Sequence, residues 1–317
     1  MRRKHLRLGL TLAVVVAAAL SASPAPAGSY SATASFGCAP PMFDALGALT
    51  RSGTARAPDG TPRLEKDTER FTGPADGQKT PGKPTAGTIP VYFHVVHTED
   101  GTGNVSLADV EEQIDVLNIT FGGMTTGYDT GFRFTLADVD WTENDAWFDQ
   151  ATFADEVAMK GALKEGGSSD LNIYSTSGGG FLGWAYYPQI TTSQQYGVLD
   201  GVVLHYGSLP GGPIANYNLG YTATHEVGHY LGLAHTFDDA VKGCIGHGDY
   251  VDDTPFMVEP TSGCPADDTK DSCPKRPGFD PIHNYMDYSY DICYTEFTQG
   301  QAERMQKQYA HWRLKRA

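Results

Sequence analysis

The chain has 317 residues, 40% of them apolar and 11% aromatic, which is enough for a sizeable globular core and excludes a wholly disordered or fibrous protein. With 38 acidic side chains against 23 basic ones, the formal charge of −15 argues against a surface that binds nucleic acid.

At the N-terminus, Arg2, Arg3, Lys4 and Arg7 precede an apolar run from Leu8 to Leu20, and Ala25-Pro26-Ala27 puts small residues at the cleavage positions. Residues 1–27 therefore read as a signal peptide, and the product as a secreted, extracellular protein. The run is shorter than the roughly 20 residues a membrane-spanning helix needs, so no membrane anchor is expected once it is removed. The twin-arginine route is disfavoured because His5 stands where it wants a large apolar residue. Residues 28–87 have another character. Gly28 to Arg70 shows modest helical patterning, and Phe71 to Thr88 is rich in Pro, Gly and Lys, so the segment reads as a propeptide and linker open to proteolysis.

Residues 88–317 carry alternating strand and helix signals. Ile89 to His97 reads as a buried strand. Ser106 with Asp109 forms a capping box for a helix with Val110, Ile114 and Leu117 on one face. Phe132 to Trp141 alternates as a strand, Thr152 with Asp155 caps a helix running to Lys164, and Asp170 to Ser175 and Val202 to Leu204 are further strands. The expected fold class is α/β (α+β).

Residues 225–235 read His-Glu-Val-Gly-His-Tyr-Leu-Gly-Leu-Ala-His. On a helix, His225 and His229 lie one turn apart on one face, within reach of a single zinc ion, with Glu226 beside them. Gly232 can adopt the left-handed conformation that ends the helix and returns His235 as a third ligand. Three protein ligands leave a fourth tetrahedral position for a water that Glu226 can deprotonate, which is a catalytic arrangement and not a structural one. His94, His97, His205, His247 and His283 have no metal-ligand spacing and read as core or surface residues.

Beyond this motif, Asp249, Asp252 and Asp253 make an acidic loop whose oxygen density suits calcium, with Asp249 and Asp253 the favoured ligands. Cys244, Cys264, Cys273 and Cys293 cluster here, and in an oxidising compartment they form two disulfides with three possible pairings. Asn284-Tyr285-Met286-Asp287-Tyr288 follows. The zinc motif, this turn, the stretch from Gly248 to Pro255 and the cysteine spacing together resemble the pappalysin family of metzincin zinc peptidases, in particular its small secreted bacterial and fungal members.

That resemblance covers roughly Ile89 to the C-terminus and implies a metzincin catalytic domain. Such a domain has a twisted mixed sheet, an active-site helix and an irregular, disulfide-stapled C-terminal subdomain. It implies that Met286 packs beneath the imidazoles and that Tyr288 can hydrogen-bond the oxyanion. It favours the pairs Cys244–Cys273 and Cys264–Cys293, and it makes Gly183-Trp184-Ala185 the edge strand along which an extended polypeptide substrate pairs. It implies structural calcium at the acidic loop. Cys38, alone upstream, becomes a candidate zinc ligand of the latent form. Relatives that prefer basic residues after the scissile bond carry an acid immediately before the last cysteine, where this chain has Ile292, with Asp291 one further back.

The expected function is a secreted zinc endopeptidase made as a zymogen. Two alternatives are a zinc hydrolase of non-peptide amides, which needs a closed pocket, and a non-catalytic binding protein, in which a ligand or Glu226 would have been lost. The sequence sets no oligomeric state.

Overall fold

In the computed structural model, the described residues are 3–6, 84–150, 152–191, 196–237 and 240–314, with the side chains of 3–6 and 240–242 left aside. The propeptide and linker up to residue 83, including Cys38, and all of the signal peptide but residues 3–6 lie outside them.

The central strand β2 (Thr88–His97) is an apolar run because it is covered on both faces. It pairs in parallel with β3 (Arg133–Glu143) on one side and with β4 (Leu171–Thr176) on the other. Next come β6 (Val202–His205), parallel to β4, and the antiparallel β5 (Gly183–Ala185) at the end of the sheet. At the opposite end a short strand, β1 (Arg3–Leu6), runs antiparallel to β3. It falls within the expected signal peptide, whose removal would leave the five-stranded mixed sheet β2 to β6.

Successive residues of a strand face opposite sides, and here they feed two cores. Ile89, Val91, Phe93, Leu171, Ile173, Val202 and Leu204 pack with Val110, Ile114, Leu117 and Phe121 of α1 (Leu107–Phe121) in the larger core. Val96, Tyr174, Trp184 and Val203 pack on the other face with Trp147 and Phe148 of α2 (Asp145–Asp149) and Met159 and Leu163 of α3 (Phe153–Leu163). The capping boxes Ser106/Asp109 and Thr152/Asp155 start α1 and α3, as the sequence predicts. A single turn, α4 (Pro188–Thr191), follows β5, and α5 (Tyr221–Tyr230) carries the histidine motif.

Beyond α5 regular structure gives way to short 3₁₀ turns and isolated bridges, with disulfides Cys244–Cys273 and Cys264–Cys293. The chain then forms α6 (Gln299–Gln308), opened by a capping box of Thr298 with Gln301, and one π turn, Tyr309–Arg313. Arg313 is fully buried, stacks its guanidinium 3.2 Å over the Tyr230 ring and donates to the Tyr230 carbonyl at 2.9 and 3.0 Å. The end of the chain thus satisfies a carbonyl that the end of α5 leaves open.

Candidate active site

Helix α5 is buried along its length, with no side-chain cap of its own at Gly220. Asp291, distant in sequence, supplies that function by accepting from the Leu219 amide at 2.8 Å and from the Tyr221 amide. Burial pushes the Asp291 carboxyl up to about 7 even so.

The C-terminal end of α5 is a Schellman motif. Gly232 takes φ +94, its amide bonds the His229 carbonyl at 2.8 Å, and the Leu233 amide bonds the Gly228 carbonyl at 2.9 Å. This reversal carries His235 back to His225 and His229. Their Nε2 atoms stand 3.1 Å (His225 to His229) and 3.0 Å (His229 to His235) apart.

These short separations are not hydrogen bonds between the rings. His225 Nδ1 is 2.6 Å from the Tyr285 carbonyl and His229 Nδ1 is 2.8 Å from the Leu233 carbonyl. A carbonyl only accepts, so each Nδ1 carries the proton and each facing Nε2 bears a lone pair. Burial also depresses His225 and His235 to about 3, favouring the neutral form that ligates a metal. Lone pairs converging at this spacing fit zinc, whose tetrahedral Zn–N bonds set neighbouring nitrogens about 3.3 Å apart. Among the described residues this is the one group of three or more His, Cys, Asp or Glu side chains close enough to hold an ion.

Glu226 is buried beside this group, and neither of its carboxylate oxygens has a hydrogen-bond partner among the described residues. Burial lifts its carboxyl well above the usual range. A buried carboxylate left so is costly, and its place on the helix that carries His225 and His229 suits a cation and water.

Met286 lies under the helix, where a Cβ at Gly228 would come 2.5 Å from its Sδ. Its carbonyl also accepts from the Thr236 amide at 3.2 Å, tying the turn of residues 284–288, the Met-turn, to the segment that bears His235. Tyr288 is half-buried, with its hydroxyl 3.3 Å from His235 Nε2 and its ring 5.0 Å from the His235 ring. On the other side, β5 lies so close that a Cβ at Gly183 would be 3.0 Å from Glu226 Cγ. Gly183, Glu226, the three histidines, Met286 and Tyr288 are therefore brought together from the edge strand, α5, the segment after its Gly232 reversal and the Met-turn.

The family described as pregnancy-associated plasma protein-A, a peptidase family, matches residues 171–310. An extracellular metalloprotease of Sordaria macrospora is 46% identical over 229 residues, which is 71% of this chain and 75% of the relative. The chain belongs to the pappalysin family of metzincin metallopeptidases. An extracellular metalloprotease of Colletotrichum graminicola is 45% identical, covering 73% of this chain and 78% of the relative. Mature mirolysin of Tannerella forsythia, solved with a cleaved peptide, superposes with a TM-score of 0.63 at 28% identity and covers 73% of this chain and 96% of that one. This pappalysin is accordingly a metalloendopeptidase that acts on polypeptides. Its family implies zinc, and its three histidines fit that ion.

The acidic loop takes part in helix capping. Asp253 spends both oxygens at the start of α6, accepting from the Thr298 hydroxyl at 2.7 Å and the Gly300 amide at 2.8 Å, while Asp249 accepts from the Val251 amide at 3.1 Å. Asp253 thus caps the start of α6. His94 likewise has a structural task, bridging Asp140 and Asn172 within the sheet. Sequence reading missed Tyr187, whose ring meets His229 edge-on at 5.6 Å, and nothing in its neighbourhood of the sequence signals that contact. No helix among the described residues is long and apolar enough to cross a membrane.

Proposed function

We propose that this pappalysin is a secreted zinc-dependent endopeptidase, made as a zymogen, in which Glu226 moves the protons of peptide hydrolysis. The observation that carries the proposal is the buried, unpartnered Glu226 carboxylate on the helix that bears His225 and His229, whose Nδ1 atoms are committed to backbone carbonyls. When bound by His225, His229 and His235, zinc supplies polarisation of a water and of the scissile carbonyl. Glu226 accepts the proton of the attacking water and returns it to the leaving amine, and the basicity that burial confers suits both transfers. The Tyr288 hydroxyl, 3.3 Å from His235 Nε2, donates to the carbonyl oxygen as charge develops there. An extended substrate adds to the sheet at β5, which brings its backbone alongside Glu226.

The proposal includes removal of residues 1–27 on secretion and of 28–87 on activation, with 88–317 as the catalytic domain and the Cys38 thiolate as a zinc ligand of the latent form. A promirolysin structure matches 87% of this chain, a larger share than mature mirolysin does, in keeping with a comparable pro-segment. The test is hydrolysis of casein by protein harvested from the medium, with chelator and zinc add-back, together with N-terminal sequencing of the active species. Chelator-sensitive internal cleavage by a chain that begins near residue 88 is expected. Hydrolysis of small amides with casein left intact would instead favour the amide-hydrolase alternative.

A further inference from the structure

Strand β5 has three residues and is paired within the sheet to β6 alone, yet it must hold its backbone straight for a substrate to pair along it. What braces it lies behind the sheet. On α3, Glu156 and Lys160 are one turn apart and almost wholly buried, at 2% and 0% exposure, with Nζ 2.8 Å from Glu156 Oε1. Glu156 Oε1 also accepts from the Trp184 indole N–H at 2.9 Å, and its Oε2 from the Tyr186 hydroxyl at 2.9 Å. Trp184 is the middle residue of β5, and Tyr186 follows it directly.

Lys160 spends its remaining protons on the carbonyls of Leu199, at 2.8 Å, and Gly201, at 3.3 Å. Those two residues lead into β6, the strand that β5 pairs with. One buried pair therefore grips both strands of the edge hairpin, and all three ammonium protons and both carboxylate oxygens are used. Apolar residues of similar volume stabilise a core at least as well as a buried ion pair, so the pair's contribution here is directional. Its lever is short. Strand alternation points Trp184 back to Glu156 and Gly183 forward onto Glu226.

We infer that Glu156 and Lys160 are positioning residues of the peptidase, setting β5 for substrate pairing. This inference rests on the endopeptidase reading above.

The experiment compares the secreted protein with Glu156→Gln, Lys160→Met and Tyr186→Phe, the last removing one hydroxyl from the network. Two substrates are used, a peptide long enough to pair along β5 and a blocked dipeptide amide too short to do so. For Glu156→Gln and Lys160→Met, kcat/KM on the long peptide should fall about tenfold or more, mainly through KM, with zinc content and short-substrate turnover held. Tyr186→Phe should move in the same direction by less, and it carries the test if the charged-pair variants do not fold. Equal losses on both substrates, or losses that vanish on cooling together with a lowered melting temperature, would show a purely structural role and overturn the inference. If the unaltered protein cuts neither substrate, the endopeptidase reading has failed and the inference falls with it.

Discussion

Between Thr88 and Tyr230 nearly every element turns an apolar side to one of two cores, whereas from Ala240 to Phe297 the chain makes only short turns and isolated bridges. The second region is fixed by two disulfides and by side chains bonded to backbone, such as Asp287 to the Thr261 amide at 2.9 Å, Asp280 to the Ser272 amide at 2.9 Å and Ser289 to the Ile282 carbonyl at 2.7 Å. The metal site lies on the seam. Helix α5 gives His225, Glu226 and His229, and the turns give Met286 and Tyr288. Hydrophobic packing makes a rigid platform, and local staples let the segment opposite hold an irregular shape without a core of its own.

The largest effect should come from removing a staple. Replacing Cys264 and Cys293 by Ser opens a loop of sequence separation 29, worth about 3–4 kcal/mol on the chain-entropy estimate. Denaturant titration should show that loss, and zinc should be released before the helix signal of the sheet platform disappears. Simultaneous loss of both would mean that the two regions are one cooperative unit. Next in size is Tyr288→Phe, expected to lower kcat on the order of 10²–10³-fold with zinc content unchanged. Unchanged kcat would remove the turn region from the chemistry.

Gly228→Ala presses a Cβ onto the Met286 sulfur across the seam and should cost about 1–3 kcal/mol of stability. Adding Met286→Ala should return part of it, read as a coupling energy in a double-mutant cycle. Strict additivity would mean that the two regions do not touch there. The last effect is spread over several pH units and concerns Asp291, which links the disulfide region to the start of α5. Its folded pKa of about 7 exceeds the unfolded value of 3.8, so the folded state binds more protons between them and stability falls as pH rises through that window. The slope should be up to about 1.4 kcal/mol per pH unit and should flatten in Asp291→Asn. Parallel profiles for the two proteins would contradict the burial of this carboxyl.

The platform was legible because its signals are local. Capping boxes at Ser106 and Thr152, period-2 strands and the histidine spacing are all read within a dozen residues. The α6 capping box of Thr298 and Gln301 was equally local and was overlooked, as was Asn144, which caps α2. Other features depend on contacts far apart in the chain. Asp253 caps a helix 45 residues on, and Asp291 caps one some 70 residues back, so neither capping role can be read from the neighbouring sequence. Glu156 and Lys160 look like an ordinary solvent-facing i,i+4 pair, and only the placement of Trp184, Tyr186 and β6 around them makes them buried.

The most direct test is the zinc content and casein hydrolysis of Glu226→Ala beside the unaltered protein. One zinc per chain in both, with hydrolysis lowered on the order of 10²–10⁴-fold in the variant, is the predicted result. A variant that keeps its zinc and cuts casein at the normal rate would contradict the assignment of Glu226 as the base.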